Sequence, residues 1–307
     1  MHKWLKWATL EAVMRSANHV LGKVVGVTAT SFTQTFWSAG IIGAVQVLAG
    51  VIGIKAKREK FFSTWRETSG ALLFGLNALV LTLLGFATFV AGADLGVRSV
   101  IVMLSIVPGA IIDRLFFQHR LVGRQWLGIA FGVLAGWVVV GQPRLTEAAA
   151  LPLWVWLSLA TSGLLAVSQG IAQRVKEINP LRKNFWGWAV AMLALGPALV
   201  WLPLTQVAGW DHALITLSWL SVIIGINVIL LWTFNVWSYR DGAAIAIKKL
   251  VALGGNLVLN MLAGWFLFSE QLTGGKIVGI LLYLLAFVLM DQGTWEFMSK
   301  RLARRVS

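Results

Sequence analysis

The chain has 307 residues, of which 58% are hydrophobic and only 12% charged, with a mean hydropathy of +0.78. A soluble domain carries about 25% charged residues, so this composition would leave far too much apolar surface in water, and a soluble enzyme is excluded. The absence of cysteine excludes a disulfide framework and thiol chemistry, and four histidines without HExxH spacing argue against a metal centre. At about 20 apolar residues per spanning helix with short connections, a chain of this length makes about ten crossings and leaves no room for a separate soluble domain. The reading is an all-α integral membrane protein, and its net charge of +14 has to be read against the bilayer before nucleic acid is considered.

Apolar windows predict helices over 4–25, 31–53, 68–91, 97–117, 125–141, 152–171, 186–204, 215–237, 242–267 and 274–292. The first is interrupted by Glu11, Arg15, Asn18 and His19, lacks the clean apolar core of a signal peptide, and reads as an uncleaved functional helix. Arg15 lies four residues after Glu11, and Asn18 and His19 continue the same face, which makes a polar stripe aimed at the bundle interior. Two readings stay open. In one, Glu11 and Arg15 form a closed pair that only orders the helix; in the other, Arg15 faces substrate while Glu11 tunes it or carries a proton.

The third helix carries Asn77, which either lines a cavity or ties helices together. The fourth opens at Arg98 and ends with Asp113 and Arg114 near the cytoplasmic surface. Arg114 reads as an interfacial side chain and Asp113 as a partner for Arg15 or a lysine. Gly128, Gly132 and Gly136 form a small-residue packing seam on the fifth helix. Trp4, Trp7, Trp154, Trp156, Trp186, Trp188 and Trp210 fall near span ends, where an indole prefers the headgroup level, whereas Trp37, Trp137, Trp201, Trp232 and Trp265 lie deeper and read as packing or lipid contacts.

The eighth helix carries Asn227. In the ninth, Asp241 is placed to cap the N-terminus and Lys248 and Lys249 follow about two turns in. Adjacent residues differ by about 100° around a helix, so the two lysines face different ways. Lys249 shares a face with Ala252, Asn256 and Asn260, which favours it as the cavity-facing one; Lys248 then snorkels to the surface, and Gly254-Gly255 permits close approach or local unwinding.

With the N-terminus inside, the cytoplasmic regions hold 18 of the 26 Lys and Arg residues, including Arg182 and Lys183. The opposite side holds Lys23, Arg98, Arg144 and Lys276, and Arg15, Arg114, Lys248 and Lys249 fall inside spans. This asymmetry supports both termini being cytoplasmic, and it accounts for the basic charge through topology and anionic headgroups without nucleic acid.

The two halves, 1–145 and 146–307, overlay at an offset near 150. Gly75-Leu76-Asn77 falls on Gly225-Ile226-Asn227, and Phe117-Gln118-His119-Arg120-Leu121 with Gly128 falls on Phe268-Ser269-Glu270-Gln271-Leu272 with Gly279. Five helices is an odd number, so the second copy enters the membrane upside down, as an inverted repeat. On the segments Ser99 to Val140 and Gly242 to Met290, with Ser105-Ile106-Val107-Pro108 in mid-helix, the sequence resembles the drug/metabolite transporter superfamily, in particular its ten-helix members built from two EamA-type repeats. One departure is that the acidic residue usual at the end of the fourth helix of a repeat is Glu270 in the second copy but His119 in the first. The resemblance implies transport.

At an offset of 151, Lys249 corresponds to Arg98, so two cations occupy pseudo-equivalent places, although lipid-phosphate contact is the competing role for Arg98. The pair Lys248 and Lys249, with Arg98 less surely, also resembles the phosphate-binding pattern of plastid phosphate translocators in the same superfamily. The expected function is a secondary transporter that moves a small polar, anionic metabolite by alternating access. Its substrate-binding residues are expected among Arg15, Asn18, His19, Asn77, Arg98, Asn227, Lys248, Lys249, Asn256 and Asn260, with Glu11 and Asp113 for coupling or charge tuning. The runner-up is an exporter of amino acids or related amphiphiles, with drug or lipid movement behind it. No GxSxG, HExxH or phosphate-loop motif is present, so neither an enzyme nor direct ATP drive is expected, and no cofactor or metal is called for. The expected partners are a small-molecule substrate, the lipid of a bacterial or archaeal cytoplasmic membrane, and a coupling proton or counter-substrate, for a monomer or weak dimer.

Overall fold

In the computed structural model the described residues are 3–29, 32–62, 64–118, 121–139, 151–201, 212–243, 245–290 and 295. Among them the secondary structure is entirely helical: α1 (Lys3–Thr28), α2 (Phe32–Ala56), α3 (Trp65–Val90), α4 (Leu95–Met103), α5 (Ile106–Phe116), α6 (Gly123–Val139), α7 (Leu153–Arg174), α8 (Pro180–Trp201), α9 (His212–Arg240), α10 (Ile245–Phe268) and α11 (Gly274–Met290). Six segments are long and apolar enough to cross a membrane: Gln34–Ala56, Trp65–Val90, Leu95–Phe116, Leu153–Arg174, Ile215–Arg240 and Val251–Phe268. The outer surface carries large apolar side chains such as Leu193, Phe266 and Trp219, while Glu11, Arg15, Arg98, Lys248, Lys249 and Asn260 are buried. That inside-out distribution suits a protein whose solvent is hydrocarbon.

The predicted fourth helix is two, α4 and α5, joined at Leu104 and Ser105. Pro108 has no N–H to donate to Leu104 and its ring crowds that turn, so the α-helical ladder fails there, and the joint is made by 3₁₀-type bonds, Leu104 N–H to Ile101 O, Ser105 N–H to Val102 O and Val107 N–H to Leu104 O (each 3.0–3.1 Å). The ends of α3 and α9 instead close on glycine: Gly92 (φ 86°) and Gly242 (φ 92°) adopt the left-handed region open to a residue without Cβ.

The helices pair in a regular scheme. α2 packs on α8, α6 on α11 and α4 on α10; α1 packs on α9 and α10, as α7 packs on α3 and on α4 and α5; α2 meets α9, as α8 meets α3. Exchanging α1, α2, α3, the α4–α5 pair and α6 for α7, α8, α9, α10 and α11 leaves this scheme unchanged. At the α3–α8 crossing the backbones meet at Gly75 and Gly187, where a Cβ on Gly75 would fall on the Gly187 backbone. A Gly75→Leu variant is accordingly expected to lose the folded, monodisperse peak in detergent size-exclusion chromatography, because backbone cannot yield as a side chain can. The predicted glycine seam on α6 is partly used: Gly128 faces Met290 and Ala286 of α11, Gly136 faces Leu104, and Gly132 has open space beside it. Gly254 takes the Tyr283 ring and Gly255 the Ala12 methyl, so these two glycines serve close approach while α10 remains continuous.

Candidate functional site

A cavity of about 110 Å³ lies where α1, α2, α3, α4, α7, α8 and α9 converge. The stripe on α1 supplies Arg15, Asn18 and His19; α4 supplies Arg98; α7 supplies Thr161 and Leu165; Phe86, Phe89, Trp188 and Trp232 make an aromatic wall. Arg98 is 3% exposed, with its guanidinium 4.7 Å from the Phe89 ring centroid, and its Nε and Nη1 have no hydrogen-bond partner among the described residues. Arg15 donates from Nη2 to Glu11 Oε1 at 2.6 Å, while its Nε is likewise unpartnered.

Beside the cavity lies a closed polar network. Glu11 Oε2 meets Lys248 Nζ at 2.8 Å, and Glu11 Oε1 also accepts from Asn235 Nδ2 at 3.2 Å. Lys248 donates to Gln169 Oε1 at 3.1 Å and lies 3.9 Å from the Tyr239 ring centroid; Tyr239 Oη and Asn235 Nδ2 donate to that same oxygen at 2.7 Å. Glu11 is closed in by Arg15 and Lys248, and Arg15 also lines the cavity.

The lysines depart from expectation. Lys248 turns inward to α1 and α7, being 1% exposed, and does not snorkel. Lys249 does not line the cavity: its ammonium donates to Ser105 O at 2.8 Å, at the α4–α5 joint, where Gly109 leaves room for its stem. The physical reason is that a carbonyl at a broken helix offers a buried ammonium an acceptor that the apolar cavity wall does not. Asn256 and Asn260 stay on the α10 face as predicted, but behind the cavity. Asn260 Nδ2 lies 2.6 Å from Ser99 Oγ, 2.9 Å from His19 Nδ1 and 3.0 Å from Asn256 Oδ1, and its Oδ1 accepts from Ser16 Oγ at 2.7 Å. An amide has two N–H groups to divide among three neighbours, so this hub fixes His19 in place rather than reaching the cavity.

Asn77 and Asn227 tie helices together: Asn77 Nδ2 donates to Leu164 O at 3.1 Å and Asn227 Nδ2 to Met14 O at 2.7 Å. Asp113 Oδ1 accepts from Ile245 N at 3.3 Å at the start of α10, the place assigned to Asp241, which instead follows α9 and accepts from Trp7 Nε1 at 2.9 Å. At the other end of the bundle Glu270 does the same for α4, accepting from Leu95 N at 2.6 Å and Gly96 N at 3.3 Å, and it pairs with Lys23. His119 and Arg120 lie outside the described residues, as do Arg144, Trp210 and the basic tail Lys300, Arg301, Arg304 and Arg305.

Three residues carry roles that the sequence reading missed. Lys183, counted with the cytoplasmic charges, is completely buried, its ammonium 3.9 Å and 5.0 Å from the Phe74 and Trp232 ring centroids. Trp188, expected at the headgroup level, is 1% exposed and lines the cavity. Thr161 lines it too. Arg114, as expected, is exposed.

Several of these contacts recur 150 residues apart. The left-handed glycines are Gly92 and Gly242. The asparagine bonds Asn77 to Leu164 O and Asn227 to Met14 O exchange into each other. The cation over a ring is Arg98 on Phe89 in the first half and Lys248 on Tyr239 in the second. By these contacts Arg98 corresponds to Lys248, and not to Lys249 as the offset of 151 implies; that offset holds at Gln118 and Ser269, both left-handed.

The fold is similar to that of a protein of known crystal structure, at 15% sequence identity, covering 92% of this chain and 97% of that one, with a TM-score of 0.61. No protein family and no curated protein matches the sequence.

Proposed function

We propose that this chain is a secondary transporter for small organic anions, built as ten membrane crossings in two inverted five-helix halves of the drug/metabolite transporter kind, with both termini cytoplasmic. The halves are supported by the exchangeable helix pairing and by the contacts that recur 150 residues apart. An odd number of crossings per half inverts the second copy, and two such halves around one central site form the common plan of alternating access. The observation that carries the anion reading is the cavity itself: Arg15 and Arg98 are on its wall with guanidinium nitrogens unspent, and no carboxylate is among its described lining residues. Fixed positive charge in a low-dielectric hollow attracts carboxylate or phosphate. The same lack of a lining carboxylate disfavours amino acids, whose ammonium would go unpaired, while the aromatic wall keeps an amphiphilic anion in play.

The test is uptake and counterflow by the purified protein in phosphatidylcholine vesicles. Saturable, counterflow-competent movement of organic anions is expected, and Arg98→Ala should lower kcat/KM at least about tenfold, the loss of one charge-assisted contact of about 1.5–3 kcal/mol. Movement of cations alone, or an Arg98→Ala variant with undiminished uptake, would overturn the reading.

A further inference from the structure

Building on the transporter reading, the geometry points to a specific cargo chemistry: a monocarboxylate with an apolar body, whose carboxylate occupies, beside Arg98, the place that the Glu11 side chain occupies beside Lys248. In the second half of the chain the cation over a ring is neutralised from within, since Lys248 lies against Tyr239 and meets Glu11 Oε2 at 2.8 Å. The corresponding cation of the first half, Arg98, lies against Phe89 in the same way. The residue 150 places from Glu11, and so the one that should face Arg98, is Thr161. Its hydroxyl is spent, donating to Leu157 O of its own helix at 2.8 Å.

Arg98 and Thr161 share the cavity wall, and Arg98 keeps two buried nitrogens without a hydrogen-bond partner among the described residues. The Lys248 site thus has its counter-ion built into the chain, and the Arg98 site leaves a guanidinium on the cavity wall for a carboxylate to meet with a charge-assisted bond. The rest of the wall decides the body of the cargo. Phe86, Trp188, Trp232 and Leu165 line it, and Leu165 stands 150 places from Arg15, so the second cation is not duplicated. With Arg15 already met by Glu11, one uncompensated cation on a largely apolar wall matches a small aryl or alkyl carboxylate better than a hydroxyl-rich phosphate ester, whose polar groups would meet rings.

The experiment uses the full chain in phosphatidylcholine vesicles, where no anionic headgroup competes, with benzoate as probe against benzamide and inorganic phosphate. Benzoate should bind and raise the melting temperature, and benzamide, of the same shape without the charge, should bind at least tenfold more weakly. Thr161→Glu supplies the carboxylate internally: it should raise the melting temperature of the empty protein and weaken benzoate binding at least tenfold, whereas Thr161→Gln, which fills the same space without the charge, should leave the melting temperature of the empty protein unraised. Equal binding of benzoate and benzamide, or wild-type benzoate affinity in Thr161→Glu, would overturn the assignment. Saturable phosphate uptake without benzoate binding would overturn it while leaving the anion-transporter reading intact; a protein that binds and moves no anion would end both.

Discussion

Replacing Glu11 by alanine is expected to destabilise the protein severely, by about 3–5 kcal/mol, the range for removing one partner of a buried ion pair. One carboxylate compensates two buried cations, Arg15 at 2.6 Å and Lys248 at 2.8 Å, and it accepts from Asn235 as well. Gln169 cannot take over, because its Oε1 already accepts from Asn235, Tyr239 and Lys248. The network joins α1, α7, α9 and α10, so its loss loosens four helices together. The measurement is thermal denaturation in detergent of Glu11→Ala, Lys248→Met and the double variant. Lys248→Met should recover part of the loss caused by Glu11→Ala, since the double variant leaves one uncompensated cation where the single leaves two. Strict additivity, or a Glu11→Ala protein that melts like the wild type, would mean that the pair contributes little.

The second large effect concerns opening. Glu270→Gln is expected to raise exposure of the cavity about tenfold or more, because it weakens charge-assisted bonds of about 1.5–3 kcal/mol and each 1.4 kcal/mol is a factor of ten. The Glu270 carboxylate follows α10, holds the first amides of α4 through Leu95 and Gly96, and pairs with Lys23 of α1. Three helices that wall the centre of the bundle are thereby fastened at one end, with Lys276 and Asp94 forming a second tie at 3.1 Å. The chain has no cysteine, so Thr82→Cys places a single thiol on the cavity wall. Its rate of reaction with a bulky polar maleimide in detergent reads opening directly. An unchanged rate in the Glu270→Gln background would show that this tie does not govern access.

How much of this was legible in the sequence depends on the range of the forces involved. Helix positions follow from hydropathy and agree within a few residues, except that α8 already begins at Pro180, ahead of the predicted 186, and the α1 stripe is readable because i, i+3 and i+4 spacing is local geometry. The α4–α5 break had a visible cause in Pro108, but a proline predicts a kink or a break only once its neighbours are known. Neither lysine sits where the sequence places it, because the face shared with Asn256 and Asn260 is a helical-wheel argument, whereas their directions are set by acceptors on other helices, Ser105 O for Lys249 and Glu11 for Lys248. Lys183 reads as a solvated charge in the run Arg182-Lys183-Asn184, and nothing nearby reveals the Phe74 and Trp232 rings that enclose it. Thr161 carries no signal of its own; it acquires meaning only as the place where a carboxylate is missing.

The joint between α4 and α5 bears on how the chain is made. The segment Leu95–Phe116 is the most enclosed of the six apolar ones, at 72% buried, and its pieces of nine and eleven residues are each too short to cross hydrocarbon alone. Its first amides are held by Glu270 and its broken turn by Lys249, both of which emerge from the ribosome more than a hundred residues later. Until Glu270 arrives, the Leu95 and Gly96 amides lack the acceptor they have in the folded chain, while Ser105 O already accepts from Gly109 N at 3.0 Å and gains Lys249 as a second donor. Packing of the N-terminal portion is therefore completed by contacts that only the C-terminal portion supplies.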